Sequence, residues 1–149
     1  MSDHEINLTE TMEFSDLQPS KSKEQTINIA IVGGDLRQIY LANSLAEEGY
    51  TVTIYGNDCS YYDLPQFFVE QFIQQVIISN SLPDILTSNP IIIGPVPFSK
   101  DNTHINAPVK DNNLTIAHFL QNLTKRPIII SGSMKPSVTA FLDTHSIPY

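Results

Sequence analysis

Asp35, Arg37 and Gln38 follow directly on the glycine pair Gly33-Gly34, and the run Ile27-Asn28-Ile29-Ala30-Ile31-Val32 leading into them is almost wholly apolar. An apolar strand that enters a glycine turn and leaves as a helix sets a carboxylate, a guanidinium and a carboxamide around one helix start. The glycines allow a tight turn and a close approach of ligand to backbone. The helix start offers N–H groups and a positive dipole end to an anion. The pattern is not a dinucleotide fingerprint: counted from Gly33, G-x-G-x-x-G requires glycine where Asp35 and Gln38 stand. A carboxylate at Asp35 also repels a pyrophosphate, so the turn suits something other than NAD phosphates. Arg37 lies where the helix dipole disfavours a cation, which points to an anion or to Asp35 as its partner; a loose surface pair with Glu48 is the alternative.

Two later segments repeat the arrangement. Ile91–Ile93 runs into Gly94-Pro95-Val96-Pro97-Phe98-Ser99, and Ile128–Ile130 runs into Ser131-Gly132-Ser133. Ligands of open α/β sheets bind outside the carboxyl ends of the strands, so three such ends are expected to converge on one crevice. There Ser99 and Ser133 can donate to carboxylate oxygens, with Lys100 and Lys135 close in sequence, either as cations of the site or as solvated surface charges. The remaining reactive types carry no assignment. His4, His104, His118 and His145 have no metal-ligand spacing with one another or with Cys59, so no metal site is expected. Cys59 reads as an inert loop thiol, and Tyr61 and Tyr62 as crevice lining or cover for apolar surface.

The elements that must carry these ends alternate strand and helix. Strands are expected at 27–32, 51–55, 76–79, 91–93 and 128–130. Helices are expected at 36–48, closed by Gly49, at 65–72 and as a turn at 82–86. A further helix, capped by 111–113, carries Ile116, Phe119, Leu120 and Leu123 on one face. Continuous Ile/Val runs, in place of alternation, call for helices on both faces of a parallel sheet. The fold class is therefore α/β: a Rossmann-like, doubly wound, mostly parallel sheet.

At 149 residues and 41% hydrophobic side chains, one domain with a real core is expected. A formal charge of −8 with only eight Lys and Arg argues against nucleic acid. A single cysteine fits a reducing compartment, and without an apolar run or signal core the expected location is the cytoplasm, with no membrane partner. Residues 1–26 hold six acids against Lys21 and Lys23, and their few apolar residues are scattered. They read as a disordered acidic tail ahead of a domain at 27–149, with an arm that folds onto a partner through Ile6, Leu8, Met12, Phe14 and Leu17 as the alternative.

In the order and spacing of Gly33-Gly34-Asp35-Leu36-Arg37-Gln38, Gly94-Pro95-Val96-Pro97-Phe98-Ser99 and Ile130-Ser131-Gly132-Ser133, the chain from Ile27 onward resembles the N-terminal domain of the dipicolinate synthase A subunit. That resemblance implies a substrate-side domain, followed in the family by an NADP-binding Rossmann domain. Together with a B subunit, the family oxidises a dihydrodipicolinate-type precursor to pyridine-2,6-dicarboxylate during spore formation. It implies a small dicarboxylate held by Gly33, Gly34, Asp35, Arg37, Gln38, Pro95–Ser99 and Ser131–Ser133. It also implies NADP bound outside this sequence, the B subunit or a second copy as partner, and no independent hydride transfer. Catalytic residues stay unassigned. Two other readings remain open: a stand-alone Rossmann-like module for a nucleotide or small anion, and an inactive domain that associates with a partner subunit.

Overall fold

A computed structural model describes residues 26–109 and 111–149. The disordered tail expected at 1–26 lies, save for Thr26, outside the described residues. Five strands form one sheet: β1 (Asn28–Val32), β2 (Thr51–Tyr55), β3 (Val76–Ile78), β4 (Ile91–Ile93) and β5 (Ile128–Ile130). The spatial order is β3-β2-β1-β4-β5 with every pair parallel, so the chain winds outward from β1 in one direction and then in the other. The switch between the two directions lies between β1 and β4, where an open α/β sheet leaves a crevice at its carboxyl edge.

Helices α1 (Leu36–Glu47) and α2 (Gln66–Gln75) cover one face. Ile29, Ile31, Val52, Ile54 and Val76 pack there against Ile39, Ala42, Phe68 and Phe72. The other face carries α3 (Leu82–Ser88), α4 (Ile116–Gln121) and α5 (Pro136–Thr144). Ala30, Val32, Ile92 and Ile129 pack there against Leu86, Phe119, Val138 and Leu142. Each fully buried Ile or Leu of these layers stabilises the fold by about 1.5–3 kcal/mol relative to exposure. The apolar residues of β1 and β2 are all buried, whereas at the margins Ile77, Ile128 and Ile130 remain 54%, 46% and 51% exposed.

Local chemistry sets most boundaries. Asp35 and Gln38 form a capping box at the start of α1, and Gly49 past its end takes φ +103°. Ser81 caps α3, with Pro83 in the first turn, and Pro136 opens α5. Two expectations are corrected. The cap of α4 is Thr115, whose hydroxyl accepts from the His118 N–H at 3.0 Å; Asp111–Asn113 instead form a separate turn, in which Asp111 accepts from the Asn113 and Leu114 N–H groups. Helix α5 was not foreseen. Its sequence Pro-Ser-Val-Thr-Ala-Phe-Leu-Asp-Thr is rich in residues of modest helix propensity, and only the proline at its start announced it.

The connection from β4 to α4, residues 94–115, straps across the carboxyl edge and contains no helix or strand among its described residues. Phe98, Ile105 and Leu114 bury their side chains in the core. Its backbone is tied at both ends: Phe98 N–H to Gly132 O at 3.1 Å, Asn106 N–H to Phe98 O at 2.8 Å, and Ile116 N–H to Thr103 O at 2.8 Å.

Candidate functional site

The glycine turn forms as the sequence requires, with Gly33 at φ +67° and Gly34 at φ +96°. A side chain at Gly33 would place its Cβ 2.6 Å from the Asn106 carbonyl oxygen. The donors of the turn are committed within the chain. Gly33 N–H donates to Tyr55 O at 2.8 Å, Gly34 N–H to Asn106 O at 2.7 Å, and Asp35 N–H to Gln38 Oε1 at 3.0 Å. Arg37 N–H donates to Asp35 Oδ1 at 2.9 Å. The sequence led us to expect these groups to be open to an anion. Instead the end of β2, the strap and the capping box fill them.

Asn57, just past β2, fixes the turn from the other side. It is 2% exposed, and its Nδ2 donates to Gly33 O at 3.2 Å and Asp35 O at 3.0 Å while its Oδ1 accepts from Tyr62 OH at 2.9 Å. Burial first, and then the Asp35 charge, push the Tyr62 phenol above its ordinary range.

Arg37 takes Asp35 as partner, through Nε to Oδ1 at 3.1 Å and Nη2 to Oδ2 at 2.9 Å, and Nη2 also donates to Val96 O at 2.9 Å. The Arg37 hydrogen bond chiefly holds the Asp35 carboxyl below its usual range, and Lys100 adds to the effect. Arg37 thus joins the β1 turn to the β4 turn while its side chain stays 68% exposed. The β4 and β5 turns also meet. Gly94 N–H donates to Ile130 O at 2.8 Å, Ser131 Oγ donates to Pro95 O, and a Cβ on Gly132 would lie 2.9 Å from the Val96 side chain. The Val96–Pro97 peptide is cis.

The three predicted ends therefore converge on Val96. Pro95 and Phe98 are buried, while Val96 and Ser133 are exposed. Ser99 turns back into its own loop, where its hydroxyl accepts from Asn102 N–H at 2.9 Å.

The open volume lies beside this cluster. A cavity of about 410 Å³ is lined by strap residues including Lys100, Asp101, His104, Asn106, Asp111 and Asn112. A smaller one, about 150 Å³, sits over the ends of β2 and β3 against Tyr55, Asn57, Asp58 and Ser79 and shares Val109 and Asp111 with the first. None of Gly33–Gln38, Pro95–Ser99 and Ser131–Ser133 lines either cavity, whereas Lys100 lines the larger one. Sequence reasoning missed Asn57, Asn106, His104 and Asp111 and left Lys100 open between a cation of the site and a surface charge. One signal was present: a connection as long as 94–115 without secondary structure is usually a functional loop.

In the strap, backbone N–H groups of His104 and Thr103, then the His104 ring, hold the Asp101 carboxyl well below its usual range. Asp111 accepts from Tyr55 OH at 3.2 Å. Burial, then Asp111, raise the Tyr55 phenol, and burial raises the Cys59 thiol, which is buried and unsuited to nucleophilic work. Among the described residues no three His, Cys, Asp or Glu could hold a metal, and no helix is long and apolar enough to cross a membrane.

An all-parallel sheet in this order, with its loops gathered at one carboxyl edge, defines a Rossmann-like α/β fold. The chain belongs to the family formed by the N-terminal domain of the dipicolinate synthase A subunit, whose profile matches residues 28–149. The A chain of dipicolinate synthase from Bacillus subtilis shares the fold, with a TM-score of 0.62 at 16% identity over 86% of this chain and 40% of that one. A diketoreductase that acts on dicarbonyl compounds aligns with a TM-score of 0.50 at 13% identity over 78% of this chain and 46% of that one. An imine reductase from Myxococcus stipitatus, solved with NAD+, aligns with a TM-score of 0.49 at 14% identity over 84% and 39%. The chain thus spans less than half the length of each. No curated protein sequence matches it.

Proposed function

We propose that this chain is the substrate-side domain of a dipicolinate synthase-like oxidoreductase, and that it holds a small dicarboxylate of the dihydrodipicolinate or dipicolinate type at the carboxyl edge of its sheet. The supporting observation is the closed glycine turn. Where a dinucleotide-binding turn presents backbone N–H groups to a pyrophosphate, Gly33, Gly34 and Asp35 spend theirs on Tyr55, Asn106 and Gln38. Asp35 adds a negative charge at the same place. The residues do not fit a nicotinamide dinucleotide, which weighs against the stand-alone nucleotide module. NADP then belongs to a Rossmann domain outside this sequence, with the B subunit or a second copy as partner, in the cytoplasm of a sporulating cell.

On this reading the substrate lies against the cluster of Gly33–Gln38, Pro95–Ser99 and Ser131–Ser133, with Arg37 facing one carboxylate. Much of the Arg37 guanidinium is already engaged by Asp35 and Val96, and the group is exposed, so the domain alone binds weakly, at about millimolar Kd. Titration of the ¹⁵N-labelled chain with dipicolinate, and separately with NADPH and adenine nucleotides, tests this. Amide shifts at Gly34–Gln38, Val96, Phe98, Ser99 and Ser131–Ser133 with dipicolinate support it. Shifts with nucleotide and none with dipicolinate overturn it.

A further inference from the structure

The cavity of about 410 Å³ at the carboxyl edge is lined by four charged or titratable side chains, and only two have uncommitted groups. Asp101 accepts at Oδ1 from the N–H of Thr103 at 2.9 Å and of His104 at 2.8 Å, and at Oδ2 from the His104 ring at 2.9 Å. Asp111 accepts from Asn113 N–H at 2.9 Å and Tyr55 OH at 3.2 Å. Both carboxylates are therefore satisfied by the fold that presents them. Lys100, by contrast, makes no hydrogen bond or ion pair among the described residues, and its ammonium can only donate.

The imidazole of His104 has one nitrogen to offer. An ionised carboxylate only accepts, so Nδ1 carries the proton it shares with Asp101, and in the neutral ring Nε2 is an acceptor. A pocket of about 410 Å³, within the usual range for small ligands, thus brings together a free cation and an oriented ring nitrogen. Its wall is continuous with the glycine turn, because Ile105, Asn106 and Ala107 pack directly on Gly33.

We propose that this cavity is a binding site for a small carboxylate that also carries a hydrogen-bond donor, a hydroxyl or a ring N–H, with Lys100 taking the carboxylate and His104 Nε2 accepting the donor. Asp101 is the positioning residue that fixes the tautomer. This deepens the dicarboxylate reading above and rests on it for the ligand's ring chemistry. Its content is a preference: a saturated or partly reduced ring bearing N–H is favoured over the aromatic pyridine, whose nitrogen is itself an acceptor.

The test is a titration of the full chain followed by amide shifts and long-range ¹H–¹⁵N correlation of the histidine rings, with piperidine-2,6-dicarboxylate, dipicolinate and malate as probes. The expected result is a His104 ring protonated at Nδ1 in the free protein. Piperidine-2,6-dicarboxylate moves the Nε2 resonance and binds about tenfold tighter than dipicolinate, as one charge-assisted hydrogen bond gives. Asp101→Asn lets the ring sample both tautomers and weakens binding, and Lys100→Gln weakens binding with the tautomer unchanged. If the two ring compounds bind equally and move only Gly34–Gln38 and Ser131–Ser133, this inference falls and the proposed function stands. If neither ring compound binds while malate moves Lys100 and His104, the inference stands and the dipicolinate reading falls. If no probe moves Lys100 or His104, the cavity is not the site.

Discussion

The glycine turn at 33–38 and the strap cavity at 100–112 lie side by side at one sheet edge, and they differ in how their polar groups are used. In the turn, the Gly33, Gly34, Asp35, Arg37 and Gln38 N–H groups, the Asn57 amide and much of the Arg37 guanidinium are committed to the protein. In the cavity, two carboxylates are committed, while a lysine and an imidazole nitrogen are not. A group already paired at good geometry offers a ligand only an exchange of partners, close to neutral in free energy. An unpaired one offers a gain. The turn therefore offers a ligand chiefly the exposed face of Arg37, whereas the cavity offers a lysine and a ring nitrogen that no group of the fold holds.

The comparison breaks most readily at the turn itself. Gly33→Val puts a β-branched residue at φ +67° with its Cβ against the Asn106 carbonyl, and is expected to cost about 3 kcal/mol or more in urea unfolding. Gly34→Val acts in the same direction, through the Gln38 side chain. A variant as stable as the parent would show that the turn is not closed. Asn57→Ala is the next largest, because it strips Gly33 O and Asp35 O of a buried donor, at about 2 kcal/mol.

Acid sharpens the contrast from a different side. The folded pKa of Asp35 lies below its unfolded value, so its contribution is fully present above about pH 4 and is lost as pH falls through the folded pKa. The thermal midpoint should drop across that window, and Asp35→Asn should flatten the drop; an unchanged slope contradicts the pair with Arg37. At the cavity, Lys100→Ala should change stability by less than about 0.5 kcal/mol, since it removes no partner. A larger loss would mean that Lys100 is structural. Smallest of all, removal of residues 1–25 should leave the thermal midpoint nearly unchanged, because that composition supplies little apolar surface to bury.

Much of the fold was legible in the sequence, because continuous apolar runs bounded by turn residues mark buried parallel strands. Thr51–Tyr55, Ile91–Ile93 and Ile128–Ile130 fall where their side chains require. The glycine turn was legible for the same local reason, since Asp35-x-x-Gln38 is a capping box within four residues. What could not be read was non-local. Nothing near Gly34 says that Asn106 will supply its acceptor, and nothing near Asn57 says that it will brace Gly33. Asp111-Asn112-Asn113 misled because Asp and Asn serve turns and caps alike, and Thr115 was the better-placed oxygen.

The central claim, that the turn is closed by its own chain, is tested most directly by amide hydrogen exchange at Gly33 and Gly34 in the ligand-free protein. The account predicts exchange slowed to near the rate of β1 and unaltered by NADPH. Exchange at the rate of an unfolded chain, with protection gained on adding nucleotide, would contradict it.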